Sequence, residues 1–397
     1  MFKRRHIYLL AIIPIALSFP VEGLAAGKIT IKPKVSASWQ LDSNFYKAET
    51  IERDVYTYLV QPGIELGYET PKSQVLLDYT LNSYYYDDKD TVPPGQGPAD
   101  KDDYAGHTGI LRARARPFDR LALGLDNSYY KTRDPGQSDR FSNAIDRDKY
   151  FINRLTPLLF YEFGPKFSAG LRYRNTETDY DIGTREDSTE NRGMFDLVYN
   201  LTRLTSLDLE YQHWKRDYDL TTSDYTSDQI KLIFRKQFKY FSFEVGGGSH
   251  NRDFDDPTLE DVDMFTYSIA LMGQNPPAPE PKPRSHITFA AEQNFNVSGT
   301  GDSYFKAHRF SLDAGHLFEE KILVGIEGYY QISDYETAPR EDKTYDISGS
   351  LGYLFTDWVT FSITVGFEER NSNLAGYDYD NRYYMAKLDF VYDLGRR

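Results

Sequence analysis

The sequence predicts an all-β fold: a transmembrane antiparallel up-and-down β-barrel of about 18 strands. Three observations predict it. Apolar and polar residues alternate with a period of two along arms longer than the roughly 5–6 residues of an ordinary soluble strand. The 397-residue chain has 33 Tyr and 25 Phe, yet its mean hydropathy is only -0.60. Disordered chains are aromatic-poor, whereas a barrel that shows lipid only every second residue reconciles aromatic richness with low hydropathy. Finally, short turns recur about every 40 residues along the chain, with longer polar loops between them.

At the N-terminus, Lys3, Arg4 and Arg5 precede the apolar run from Ile7 to Phe19, and Leu24-Ala25-Ala26 offers a cleavage site before Gly27. This reads as a signal peptide over residues 1–26, followed by the barrel over 27–397. The mature chain opens with Ile29, Ile31, Pro33, Val35, Ala37, Trp39 and Leu41 on one face and Lys28, Lys32, Lys34 and Asp42 on the other. The next arm alternates Tyr56, Tyr58, Val60, Pro62, Ile64, Leu66 and Tyr68. It turns at Glu69-Thr70-Pro71-Lys72 and returns through Val75, Leu77, Tyr79, Leu81 and Tyr85. Tyrosines gather near the stripe ends, where amphipathic rings suit a membrane–water boundary.

A polar segment from Asp87 to Asp103 follows, then a strand with Leu111, Ala113 and Ala115 opposite Arg112, Arg114 and Arg116. Leu121, Leu123 and Leu125 form the return, and a long loop runs near Lys131 to Asp148. The arm through Leu155, Pro157 and Leu159 loosely repeats the earlier Pro62 arm. Further outward sets follow, from Phe167/Leu171 and Phe195/Leu197 to Val359/Phe361/Ile363 and Tyr384/Leu388/Phe390. Turns fall near residues 70, 118, 164, 203, 239, 279, 319 and 357. An even strand count with short periplasmic turns places both termini in the periplasm and the barrel in the outer membrane of a Gram-negative cell. The Pro-rich turn from Gln274 to Ser285 is stiff and extended; it reads as a spacer or as a handle for a periplasmic export or synthesis partner. The final alternation through Tyr392 and Leu394 looks like a C-terminal assembly signal, extended by Gly395-Arg396-Arg397.

The lumen face carries both charges. Its basic positions include Lys32, Lys34, Arg112, Arg114, Arg116, Arg172, Arg174, Lys231 and Arg235. Its acidic ones include Glu65, Asp78, Asp126, Asp196, Asp208, Glu210, Glu244, Glu292, Asp313, Glu327, Asp346 and Asp389. One reading is a salt-bridge lattice that braces a watery bore. The other is a track for an anionic polymer along Arg112, Arg114, Arg116, Arg172, Arg174, Lys231 and Arg235, because guanidinium groups pair well with carboxylates. Tyr84, Tyr86, Tyr130 and Trp214 read either as packing or as stacking platforms for sugar rings.

Acidic loop runs such as Asp87-Asp88-Lys89-Asp90 and Asp253-Phe254-Asp255-Asp256 match no EF-hand spacing, so no cofactor or metal is expected. The net charge of -14 argues against a nucleic-acid partner. With no cysteine, disulfides, thiolate metal sites and a lipidated N-terminal cysteine are excluded. Seven scattered histidines and the lack of HExxH and GxSxG motifs speak against an enzyme.

The signal peptide, the Ile29–Tyr46 stretch ending in Asp42-Ser43-Asn44-Phe45-Tyr46, the Gln61-Pro62-Gly63 arm and the Tyr-rich hairpins resemble the putative beta-barrel porin 2 family of Gram-negative bacteria. The resemblance implies an outer-membrane conduit exporting an exopolysaccharide, with outer-membrane lipid and a polysaccharide chain as partners; the lumen arginines suit an acidic one. Two alternatives stand beside it. A general diffusion or uptake porin would need an inward-folded constriction loop, for which Asp87–Asp103 is the candidate. An outer-membrane lipid or polysaccharide hydrolase would need a clustered Ser/His/acid site.

Overall fold

The computed structural model describes residues 27–395 apart from 146, 183–184, 221, 278–282, 296–303 and 337. The expected signal peptide lies outside the described residues, as does the middle of the Pro-rich turn. The chain forms β1 (Lys28–Asp42), β2 (Val55–Glu69), β3 (Ser73–Asp88), β4 (Tyr104–Phe118), β5 (Leu121–Thr132) and β6 (Tyr150–Glu162). Next come β7 (Phe167–Tyr180), β8 (Ser188–Thr202), β9 (Thr205–Tyr218), β10 (Tyr225–Gln237), β11 (Phe241–Phe254) and β12 (Val262–Asn275). The last six are β13 (Ser285–Phe295), β14 (Phe305–Phe318), β15 (Ile322–Tyr335), β16 (Glu341–Thr356), β17 (Val359–Ser372) and β18 (Tyr379–Val391). Each strand pairs antiparallel with its sequence neighbours, and β1 also pairs with β18. The sheet therefore closes into the expected 18-stranded up-and-down barrel and leaves no free edge.

The seam runs from Lys34 opposite Val391 to Asp42 opposite Tyr383. The expected final strand stops at Val391, but Tyr392 and Leu394 still donate backbone N–H groups to Pro33 and Ile31, at 3.1 and 3.0 Å. Two prolines mark local gaps. The β2–β3 ladder skips Gln61 and Pro62, and the β6–β7 ladder skips Thr156 and Pro157. A proline nitrogen has no hydrogen to donate.

Alternation sorts the side chains. Leu171, Phe195, Leu232, Phe289, Leu351 and Ile363 point outward and are exposed. Toward the short-turn end the outward band is aromatic: Phe118 (69% exposed), Phe163, Phe167, Phe241, Phe318, Phe355 and Trp358. A continuous apolar surface of this kind is tolerated in lipid, not in water. Leu171→Arg is expected to lower stability by about 2–4 kcal/mol, the cost of a cation near the midplane. Urea titration of the protein refolded in lipid vesicles measures it, and an unchanged midpoint would mean that Leu171 does not face lipid.

The turns between paired strands cluster at one end, together with the start of β1 and the end of β18. The longer connections, including 43–54, 89–103 and 133–149, cap the other end. The buried core gathers there. One cluster joins Phe45, Val55, Tyr86, Ala99 and Tyr104, a second Trp214, Tyr225, Met264, Phe295 and Tyr304, and a third Phe141, Phe305 and Ala307.

Candidate constriction and lumen wall

In a closed ring of 18 strands, strands nine places apart face each other, so β5 and β6 stand opposite β14 and β15. The loop 133–149 leaves the end of β5 and crosses to that far wall. It starts as a single 3-10 turn, Pro135–Gln137, held by the Arg154 guanidinium, which donates to the carbonyls of Gln137 (2.6 Å) and Ser138 (2.8 Å). On the opposite side Arg140 pairs with Glu292 of β13. Arg309 of β14 donates to the Arg140 carbonyl at 2.9 Å. Gln331 of β15 donates to the Phe141 carbonyl (2.9 Å) and to Asn143 Oδ1 (3.1 Å). Arg370 of β17 donates to the Asn143 carbonyl at 2.8 Å. Phe141 packs against Phe305 and Ala307, with Tyr335 beside them.

The loop then returns past β1–β3, where Arg147 lies 4.0 Å above the Phe45 ring. A backbone carried through the lumen must have its carbonyls satisfied, and here inward-facing wall residues supply the donors.

The loop expected to fold inward, Asp87–Asp103, does not cross. It stays over its own wall beside loop 43–54. Asp88 pairs with Arg53 and accepts from the Ala99 N–H at 2.7 Å. Asp102 accepts from Tyr46 at 3.0 Å and from Arg133 at 2.8 Å, and Asp103 accepts from the Tyr86 N–H at 2.7 Å. Burial and the Asp102 carboxylate push the Tyr46 hydroxyl up to about 12. The reason for the difference is chemical. Asp102 and Asp103 of the 89–103 segment are taken up by Tyr46, Arg133 and the Tyr86 N–H, while 133–149 brings carbonyls and one apolar wedge to a donor-rich wall.

All seven basic residues read from the sequence stand on strand positions of lumen parity, but they do not form one cluster. Arg114 lies 2.8 Å from Asp126 and Arg116 3.8 Å from Glu162. Arg172 reaches Asp196 at 2.9 Å and Glu210 at 3.4 Å. Arg235 sits between Asp208 and Glu244, the latter at 2.7 Å. Among the described residues no ion-pair partner is found for Arg112, Arg174 or Lys231; Arg174 reaches only the Thr156 hydroxyl, at 3.4 Å. The seven lie on β4, β7 and β10, with two strands between each group. Arg154, Arg192 and Arg216, which the sequence reading passed over, fill those gaps. Their lumen parity was the available signal: Arg154, for instance, precedes outward Leu155.

The lattice reading also has substance, in Lys32–Glu65 (2.7 Å) and Lys34–Asp78 (2.6 Å). Three of the four aromatic candidates pack rather than stand free. Tyr84 stacks on Tyr104 at 4.6 Å, Tyr86 is buried, and Trp214 lies under the Arg192 guanidinium at 4.0 Å.

Near the short turns, Ser285 lies 2.7 Å from His316 Nδ1, and His286 Nε2 lies 3.0 Å from Asp313. Successive strand residues face opposite sides, so the first pair points to lipid and the second to the lumen, and the four do not assemble a triad. Among the described residues no group of three His, Asp or Glu is placed to hold a metal ion.

No curated protein matches the chain by sequence. Among solved structures, Pseudomonas aeruginosa OccK3 (OpdO) aligns at 10% identity over 92% of this chain and 96% of its own, with a TM-score of 0.47. Acinetobacter baumannii OccAB2 aligns at 11% identity over 92% and 98%, with a TM-score of 0.47. Pseudomonas aeruginosa OpdK, solved with vanillate, aligns at 9% identity over 92% and 99%, with a TM-score of 0.48. Of the features that carried the family resemblance, the signal peptide, the Ile29–Tyr46 stretch and the Gln61-Pro62-Gly63 arm lie outside the segment that matches a family model. That segment, residues 240–391, spans β11–β18 and matches the family described as putative beta-barrel porin 2, within a chain that closes as an 18-stranded antiparallel barrel.

Proposed function

We propose that the chain is a constricted diffusion porin of the outer membrane, passing small polar solutes rather than an unrestricted polymer. The observation that carries this reading is the 133–149 loop, held across the bore by residues of β6, β13, β14, β15 and β17. The proposal includes a cleaved segment at 1–26, termini and short turns in the periplasm, and long loops outside. Transport needs no chemistry from the protein, so the reading assigns it no catalytic residue.

Export of an acidic exopolysaccharide is the second reading. It is supported by the family resemblance and by Arg112, Arg174 and Lys231, which have no ion-pair partner among the described residues. A polymer threading this bore would have to displace the loop. Proteoliposome swelling with neutral sugars of rising size separates the two. A sharp size limit in the intact protein, abolished when 135–147 is replaced by a short Gly-Ser linker, is expected. Entry of long oligosaccharides into the intact protein's vesicles would favour export instead.

A further inference from the structure

Part of the lumen charge is segregated in a way that bracing does not require. On the ladder between β7 and β8, Arg174 stands directly opposite Arg192. Between β14 and β15, Asp313 stands opposite Glu327, and between β16 and β17, Asp346 stands opposite Glu368. Like charges directly opposite each other destabilise a sheet. A pure bracing lattice would interleave signs, as Lys32–Glu65 and Arg235–Asp208 do. The Arg174–Arg192 pair faces the Asp346–Glu368 pair across the bore, since β7 and β16 are nine places apart; Lys47 reaches Glu368 at 2.7 Å, and the acidic pair on the basic side, Asp196 opposite Glu210, is bridged by Arg172.

The two walls are also open for business with a solute. On the basic side Arg112 and Lys231 have no carboxylate partner among the described residues. On the acidic side the same holds for a cationic partner of Glu327 and Asp346, although Asp346 accepts weakly from Tyr383, at 3.3 Å. Asp313 and Glu327 lie four residues along their strands from Arg309 and Gln331, the anchors of the crossing loop. The acidic wall therefore begins directly on the short-turn side of the constriction.

We infer that this passage selects small zwitterions, solutes carrying both a carboxylate and an ammonium group; the inference rests on the constricted-porin reading. In a narrow, low-dielectric bore with opposed walls, a dipolar solute gains at both ends when it lies across the field. A solute with one charge gains at one wall and is repelled by the other. The carboxylate turns toward Arg112, Arg174 and Lys231, and the ammonium toward Asp313, Glu327 and Asp346.

The test is proteoliposome swelling with β-alanine, glycerol and sodium lactate, solutes of similar size. β-Alanine is expected to enter at least about threefold faster than glycerol, a modest instance of electrostatic focusing. In Glu327→Gln/Asp346→Asn the ratio should fall to near one, with folding checked by heat-modifiable gel mobility. Equal β-alanine and glycerol rates in the wild type, lactate outpacing β-alanine, or a ratio unchanged in the folded double variant would each overturn the inference while leaving a porin. Failure of glycerol itself to enter would overturn the porin reading, and this inference with it.

Discussion

Arg370→Ala combined with Gln331→Ala is expected to raise single-channel conductance at least about twofold and to make the current noisy. Arg370 is almost fully buried and donates to Asn143 of the loop and to Tyr377 at 2.8 Å each. Gln331 is equally buried and holds Phe141 and Asn143. A charge-assisted hydrogen bond contributes roughly 1.5–3 kcal/mol and a neutral one roughly 0.5–1.5 kcal/mol. Losing both anchors weakens docking by about 3 kcal/mol. That shifts the docked-to-free ratio about a hundredfold, at 1.4 kcal/mol per factor of ten. Arg140, Arg147, Arg154, Arg309 and the packing of Phe141 would still hold the loop, more weakly. Planar-bilayer recording of the wild type and the double variant checks this. If the folded variant keeps the same conductance and the same solute size limit, the loop does not set the bore.

Gly248→Val is expected to prevent barrel assembly. Gly248 lies in the run Gly246-Gly247-Gly248 of β11, opposite Lys231 of β10. A Cβ there would overlap the Ile230 carbonyl oxygen and come within 2.8 Å of both the Ile230 carbonyl carbon and Lys231 Cα. The obstacle is backbone, so no rotamer change relieves it, and β10 and β11 would have to part. Overpacking of a close-packed site costs about 1–3 kcal/mol and sometimes more; this site belongs at the upper end because a ladder is lost as well. The readout is the heat-modifiable band of the folded barrel on a gel, expected to disappear. Gly349→Val on β16, where a Cβ would meet nothing within 4 Å, is the control that should keep it. A folded Gly248→Val barrel would show that the strands can separate locally at little cost.

Much of this was legible along the chain because a strand reports its own environment. Alternation in Ile29–Leu41 or Phe167–Tyr173 identifies the lipid face residue by residue, since a slip of one position would turn every side chain to the wrong medium. Strand number, turn positions and the lumen side of Arg112, Arg172 and Lys231 follow from that local rule. The loops obey no such rule. Asp87–Asp103 and 133–149 are both long and polar, and neither has a periodicity that says which one turns inward.

The sequence by itself therefore determined the barrel, its faces and the stock of lumen charges. Tertiary structure alone decided three things: which loop crosses the bore, which cations are neutralised, and which charges confront one another. The reason is distance along the chain. Asn143 meets Arg370 and Phe141 meets Gln331 only because ring closure brings opposite walls together. Asp346 becomes the counterpart of Arg174 only once β1 has paired with β18.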